Sequence, residues 1–66
     1  MKNSIKVQRA MRDMTQGELA EKIGVSRQSI NSIESGKYVP STILALKIAR
    51  CFDAAVEDIF VLEESD

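Results

Sequence analysis

The chain contains no histidine, no tryptophan and a single cysteine, Cys51, in 66 residues. Without histidine, a triad built on an imidazole base is impossible. One thiol cannot close a disulfide within the chain, which fits a reducing compartment, and a cytoplasmic location is expected. A zinc site would have to be built from carboxylates alone, and no such cluster stands out, so neither a metal nor another cofactor is expected. The longest apolar runs, such as Ile43–Leu46 and Ile59–Leu62, are four residues long. That is far short of the ~20 residues that cross a bilayer, and no membrane partner is expected. No charged-then-apolar leader opens the chain, so no secretory signal is expected. With no nucleophile–base set in the sequence, enzymatic activity is not expected either.

What is present is a modest length, 44% apolar residues and an uneven charge distribution. The length allows one domain, residues 1–66, near the lower limit for folding on one core. The apolar fraction excludes a disordered chain. Residues 1–52 hold all nine basic residues against four acids, a net +5, whereas residues 53–66 hold six acids and no base, a net −6. The overall charge of −1 therefore hides a basic body and an acidic end.

Apolar spacing near 3.6 and repeated cap signals predict an all-α fold, a compact bundle of five short helices. The first is expected over about 3–12, where Ile5, Gln8, Arg9 and Arg12 share a polar stripe. The second is expected over about 16–23, opened by Thr15 with Glu18 completing a capping box and closed by Gly24. The third, about 27–34, has Ser26 as its N-cap and Gly36 as its stop. Pro40-Ser41 opens the fourth, about 42–52, whose core stripe is Ala45, Ile48, Ala49 and Phe52. The fifth is expected over about 56–61, and residues 63–66 are expected to fray.

Helices two and three are separated only by Gly24-Val25-Ser26, so they must cross at a steep angle. Leu19, Ala20, Ile23, Val25, Ile30 and Ile33 form the inner side. Outward on helix three stand Arg27, Gln28, Asn31 and Ser32, all polar and all residue types that read base edges. The segment TQGELAEKIGVSRQSINSIESGK resembles the helix-turn-helix of the Cro/Xre-like family, which includes the lambdoid phage repressors. The likeness continues through Tyr38-Val39-Pro40-Ser41 and Ala45–Ala49 to Val56–Phe60, nearly the whole chain.

The resemblance implies a lambda repressor-like fold and a sequence-specific transcriptional regulator, with a repressor expected, that binds double-stranded DNA at two-fold-related half-sites. Arg27 and Gln28 would reach the major groove first, with Asn31 and Ser32 a turn further on. Gln16, Lys37 and Tyr38, together with Ser26, would contact the DNA backbone. Arg9 and Glu34 match a pair that forms a structural salt bridge in the family. Several positions depart from the family pattern. Gln8 stands where leucine is usual, and Gly17 lies inside helix two. Asp13 and Asp53 stand where glycine usually ends a helix, and Ala55 stands where a serine cap is usual. These bear on stability and leave the DNA-facing set intact.

Helix four carries more apolar residues than one stripe needs: Ile43, Leu44, Leu46 and Cys51. Phe60-Val61-Leu62 adds to this surplus. A homodimer is therefore expected, with Leu44, Cys51, Phe60, Val61 and Leu62 at its interface. The alternative reading is an antitoxin-like or adaptor protein whose main partner is another protein and which also represses its own operon.

Overall fold

The computed structural model describes residues 1–66. Five helices run in order: α1 (Ile5–Met11), α2 (Gln16–Ile23), α3 (Arg27–Glu34), α4 (Thr42–Cys51) and α5 (Val56–Ile59). Two very short strands, β1 (Lys2–Asn3) and β2 (Phe60–Val61), pair antiparallel, Lys2 opposite Val61 and Asn3 opposite Phe60.

The cap chemistry sets the boundaries of the central helices. Thr15 Oγ1 accepts the Glu18 N–H at 3.0 Å, and the Glu18 carboxylate accepts the Thr15 N–H at 3.1 Å, which satisfies two amides that the helix itself leaves unpaired. Gly24 closes α2 at φ 77°, a left-handed conformation that glycine adopts without steric cost. Ser26 Oγ accepts the Ser29 N–H at 3.1 Å and starts α3. Ser41 Oγ accepts the Leu44 N–H at 3.2 Å and starts α4.

The two ends of the chain differ from the helical expectation, and pairing across the chain is the reason. The first helix begins at Ile5 because Lys2 and Asn3 are committed to the ladder with β2. The Asn3 side-chain oxygen accepts the Ile5 N–H at 3.2 Å, and the Ser4 N–H donates to the Ile59 carbonyl at 2.9 Å. The fifth helix stops at Ile59 and does not reach residue 61, because Phe60 turns extended and its backbone faces β1. Ala55 has no side-chain acceptor, so α5 keeps only half a capping box: the Asp58 carboxylate accepts the Ala55 N–H at 3.3 Å.

The last four residues, expected to fray, instead close a turn onto the amino terminus. The Glu63 N–H donates to Asp66 Oδ2 at 2.8 Å, and the Met1 amine reaches Asp66 Oδ1 and Glu63 Oε1, each at 3.0 Å. The hydrogen bond to Asp66 and then that to Glu63 raise the amine's pKa. The Glu63 amide and then the amine lower that of Asp66.

Eleven apolar residues form the core: Ile5, Leu19, Ala20, Ile23, Ile30, Ile33, Ile48, Ala49, Phe52, Ile59 and Phe60. Every element contributes to it except β1. Gln8, in a position suited to leucine, is half-buried and accepts a hydrogen bond from Arg12 at 2.9 Å. The Arg12 guanidinium lies 4.9 Å from the Phe52 ring centroid and donates to the Phe52 carbonyl. The polar stripe of α1 thus covers the end of α4 with an arginine stacked on a core aromatic. Asp13 and Asp53 take the left-handed conformation at φ 54° and 52°, where a Cβ is strained.

Candidate nucleic-acid interface

α2 and α3 are joined by a three-residue turn and pack through Leu19, Ala20 and Ile23 against Ile30 and Ile33. With Ile30 and Ile33 pinned in the core, the helical repeat directs Arg27, Gln28 and Asn31 outward, and all three are exposed. Ser32 is half-buried at the edge of the same helix. Gln16, Arg27, Gln28 and Asn31 line one shallow cleft at the start of α2 and along α3. The structure therefore brings together one residue expected at the DNA backbone and three of the four expected at bases.

Ser26 spends its hydroxyl on the cap and on Ser29 Oγ, 2.9 Å away. Beyond α3, Gly36 at φ 81° turns the chain, and the amides of Lys37 and Tyr38 both donate to the Ser32 carbonyl, at 3.0 and 3.2 Å. This leaves the Lys37 and Tyr38 side chains exposed immediately after α3.

The site rests on one ion pair. Arg9 Nε donates to Glu34 Oε2 at 2.7 Å and Arg9 Nη2 to Glu34 Oε1 at 3.0 Å, a two-point contact. Arg9 Nη1 donates to the Met14 carbonyl at 2.9 Å, so the guanidinium also ties down the loop before α2. The side chains are only 13% and 8% exposed. The hydrogen bonds to Glu34 raise the Arg9 pKa further above its ordinary value, against the opposing effect of burial. Gln16 Nε2 lies 3.3 Å from Asn31 Oδ1 and 3.5 Å from Glu34 Oε1, which links the first residue of α2 to α3.

Asn3, a residue that sequence reasoning missed, also holds α3. Its amide nitrogen donates to the Ile33 carbonyl at 2.9 Å, which also accepts the Gly36 N–H, and reaches the Glu34 carbonyl at 3.5 Å, so it fastens the last turn of the helix. Thirty positions separate Asn3 from Ile33, and no local signal points to the contact.

Burial divides the residues expected at a dimer interface. Phe60 is 8% exposed and belongs to the core, because β2 turns its side chain inward. Leu44 and Cys51 are half-buried and pack against the core. Val61 and Leu62 are exposed. The α4 residues that do face outward are Ile43, 69% exposed, and Leu46, 54% exposed. With Lys47 and Arg50 they form one stripe at i, i+3, i+4 and i+7. That stripe borders a groove closed on the other side by Asp53, Val56, Glu57 and Asp58.

Comparison with known proteins places this geometry. A family model described as helix-turn-helix matches residues 5–59. An uncharacterized HTH-type transcriptional regulator of Methanocaldococcus jannaschii is 53% identical over 66 residues, covering all of both chains. An uncharacterized HTH-type transcriptional regulator of Bacillus subtilis is 48% identical over 66 residues, again covering all of both. Among solved structures, the restriction-modification controller protein C.AhdI of Aeromonas hydrophila superposes with a TM-score of 0.78 at 25% identity, covering 85% of each chain. PlcR of Bacillus thuringiensis, solved in complex with the peptide PapR7 and DNA, superposes with a TM-score of 0.75 at 27% identity, covering 91% of this chain and 22% of that one. No helix of the chain is long and apolar enough to cross a membrane.

Proposed function

This chain belongs to the helix-turn-helix family of DNA-binding transcriptional regulators, and we propose that it reads double-stranded DNA in the major groove as a homodimer and represses transcription in the cytoplasm. The observation that carries this reading is the outward face of α3. Arg27, Gln28 and Asn31 are exposed side by side on a helix whose opposite face is locked into the core. Arginine pairs with guanine at O6 and N7, and glutamine and asparagine match the major-groove edge of adenine. Ser32 completes the base-reading set. Lys37, Tyr38, Ser26 and Gln16 frame it as candidates for backbone contact, which sets register without reading sequence.

The groove between α4 and α5 supports the homodimer. One wall, on α4, carries Ile43 and Leu46 with the basic Lys47 and Arg50, and the other carries Val56 with the acidic Asp53, Glu57 and Asp58. A two-fold axis through such a patch sets each copy's basic side against its partner's acidic side, as an isologous interface requires. A standard interface buries about 800 Å² per partner, roughly one-sixth of the 4599 Å² surface of this chain. Two-fold pairing would present two copies of α3 to half-sites about one helical turn apart. The acidic end would then lie best away from the phosphates. The second reading, an antitoxin-like or adaptor protein, draws on exposed Val61 and Leu62, and copurification of a second protein would favour it.

The test is titration of Arg27→Ala and Gln28→Ala against an operator selected from random DNA and against scrambled DNA. Each variant is expected to lose roughly 1–3 kcal/mol of specific binding, with nonspecific binding less affected. Full retention of operator preference by both variants would remove α3 as the reader.

A further inference from the structure

Asn3 uses both ends of its side-chain amide on main-chain groups of fixed polarity. Its oxygen accepts the Ile5 N–H at 3.2 Å, and its nitrogen donates to the Ile33 carbonyl at 2.9 Å. Its own backbone is paired with Phe60 in the β1–β2 ladder. One half-buried side chain thus joins the seam, the start of α1 and the end of α3. The Ile33 carbonyl also accepts the Gly36 N–H at 3.1 Å, so the oxygen that anchors the left-handed turn after α3 is the one Asn3 grips. One residue back, the Ser32 carbonyl takes the amides of Lys37 and Tyr38. The far end of this loop is Pro40, which is buried. Asn3, Ile33, Gly36, Tyr38, Pro40 and Phe60 line one small cavity. The seam therefore faces the loop with both of its strands, through Asn3 of β1 and Phe60 of β2.

We propose that Asn3 is a positioning residue for DNA binding: by holding the Ile33 carbonyl it sets where the loop after α3 carries Lys37 and Tyr38. The inference rests on the reading of these two side chains as DNA-backbone contacts, and it assigns part of their effect to a residue at the other end of the chain. The Lys37 side chain is exposed, so its place is set by the main chain at Ile33 and Gly36 and not by packing around it. The Arg9–Glu34 pair is a separate hold, because it grips the Glu34 side chain and not the main chain of the loop. The consequence concerns affinity for DNA of any sequence, since backbone contacts carry no base information. A chain that has lost the Asn3 contact keeps the base-reading face of α3 and loses the set of the loop beside it.

Asn3→Ser isolates the contact. A serine still accepts the N–H two residues on, as the asparagine does, but is too short to reach Ile33. Asn3→Thr does the same with a side chain better suited to a strand, and both variants are measured where circular dichroism shows native helix content. Tyr38 is the only tyrosine and the chain has no tryptophan, so intrinsic fluorescence anisotropy reports this loop alone. Both variants should lower the anisotropy of the free protein. They should weaken binding to operator and scrambled DNA by the same factor and cut the salt slope by about one unit. In either background Lys37→Ala should then change binding by no more than about twofold. Unchanged anisotropy, or a Lys37→Ala loss as large in the variants as in wild type, would overturn the positioning role and leave Asn3 a residue of the fold alone. If Lys37→Ala leaves the wild-type salt slope unchanged, the reading of Lys37 as a backbone contact is what fails, and the anisotropy alone decides whether Asn3 holds the loop.

Discussion

Glu34→Ala should be among the most damaging single changes outside the apolar core, and its size follows from the geometry. The carboxylate is 8% exposed and takes two hydrogen bonds from Arg9, at 2.7 and 3.0 Å. Removing one partner of a buried pair costs about 3–5 kcal/mol, mainly because the other charge is left without compensation. Arg9 retains its bond to the Met14 carbonyl and is 13% exposed, which argues for the lower end, about 3 kcal/mol. A domain of this size has roughly 3–10 kcal/mol in all. The variant should therefore melt lower by roughly 12–24 °C. Urea melts of Arg9→Ala, Glu34→Ala and the double variant measure the coupling directly, and Arg9→Met with Glu34→Leu should recover most of the loss by replacing both charges with apolar bulk. The guanidinium pKa is raised in the fold, so its contribution is complete below the ordinary arginine value and fades only as pH rises through the folded one. The Arg9 contribution should thus be constant across neutral and moderately alkaline pH. Additive single effects, or a Glu34→Ala melt indistinguishable from wild type, would refute the reasoning.

Four further outcomes follow from the structure. Gly17→Ala should stabilise by about 0.5–1 kcal/mol in denaturant melts, because the nearest atom to an added Cβ is Thr15 Oγ1 at 3.9 Å and the helix gains a better former. Asp53→Gly should stabilise by up to about 1 kcal/mol, since it relieves a left-handed residue at φ 52°. Lys37→Ala should weaken binding to all DNA sequences about equally and lower the salt slope by about one unit; an unchanged slope would leave Lys37 in solvent. Leu46→Asp should shift the protein to monomer in sedimentation equilibrium with its melt nearly unchanged, whereas Phe60→Asp should unfold it, because Phe60 lies in the core.

The helix-turn-helix was legible because its punctuation is local. Thr15 with Glu18, Gly24 and Ser26 each act within four residues, and α2 begins and ends, and α3 begins, where those residues direct. The ends of the chain were not legible for the opposite reason. Ile59-Phe60-Val61-Leu62 continues a helical pattern as well as it begins a strand, and the choice is made by Lys2 and Asn3, nearly sixty positions away. The same limit holds at the surface. Counting apolar residues on α4 found a surplus, but only packing decides that Leu44 and Cys51 turn inward while Ile43 and Leu46 remain outside. The contact of Gln16 with Asn31 depends on the crossing of two helices, which no spacing rule reports.

The ladder between β1 and β2 also orders events in time. Helices α2 and α3 meet through contacts close in sequence, which form quickly. The seam joining Asn3 to Phe60 must close a loop of nearly the whole chain, so its closure entropy is among the largest in the fold. Ile59 and Phe60 enter the core with that seam, and Asn3 brings with it the bond that holds the last turn of α3. During synthesis the chain must therefore be almost complete before the end of α3 is fully secured.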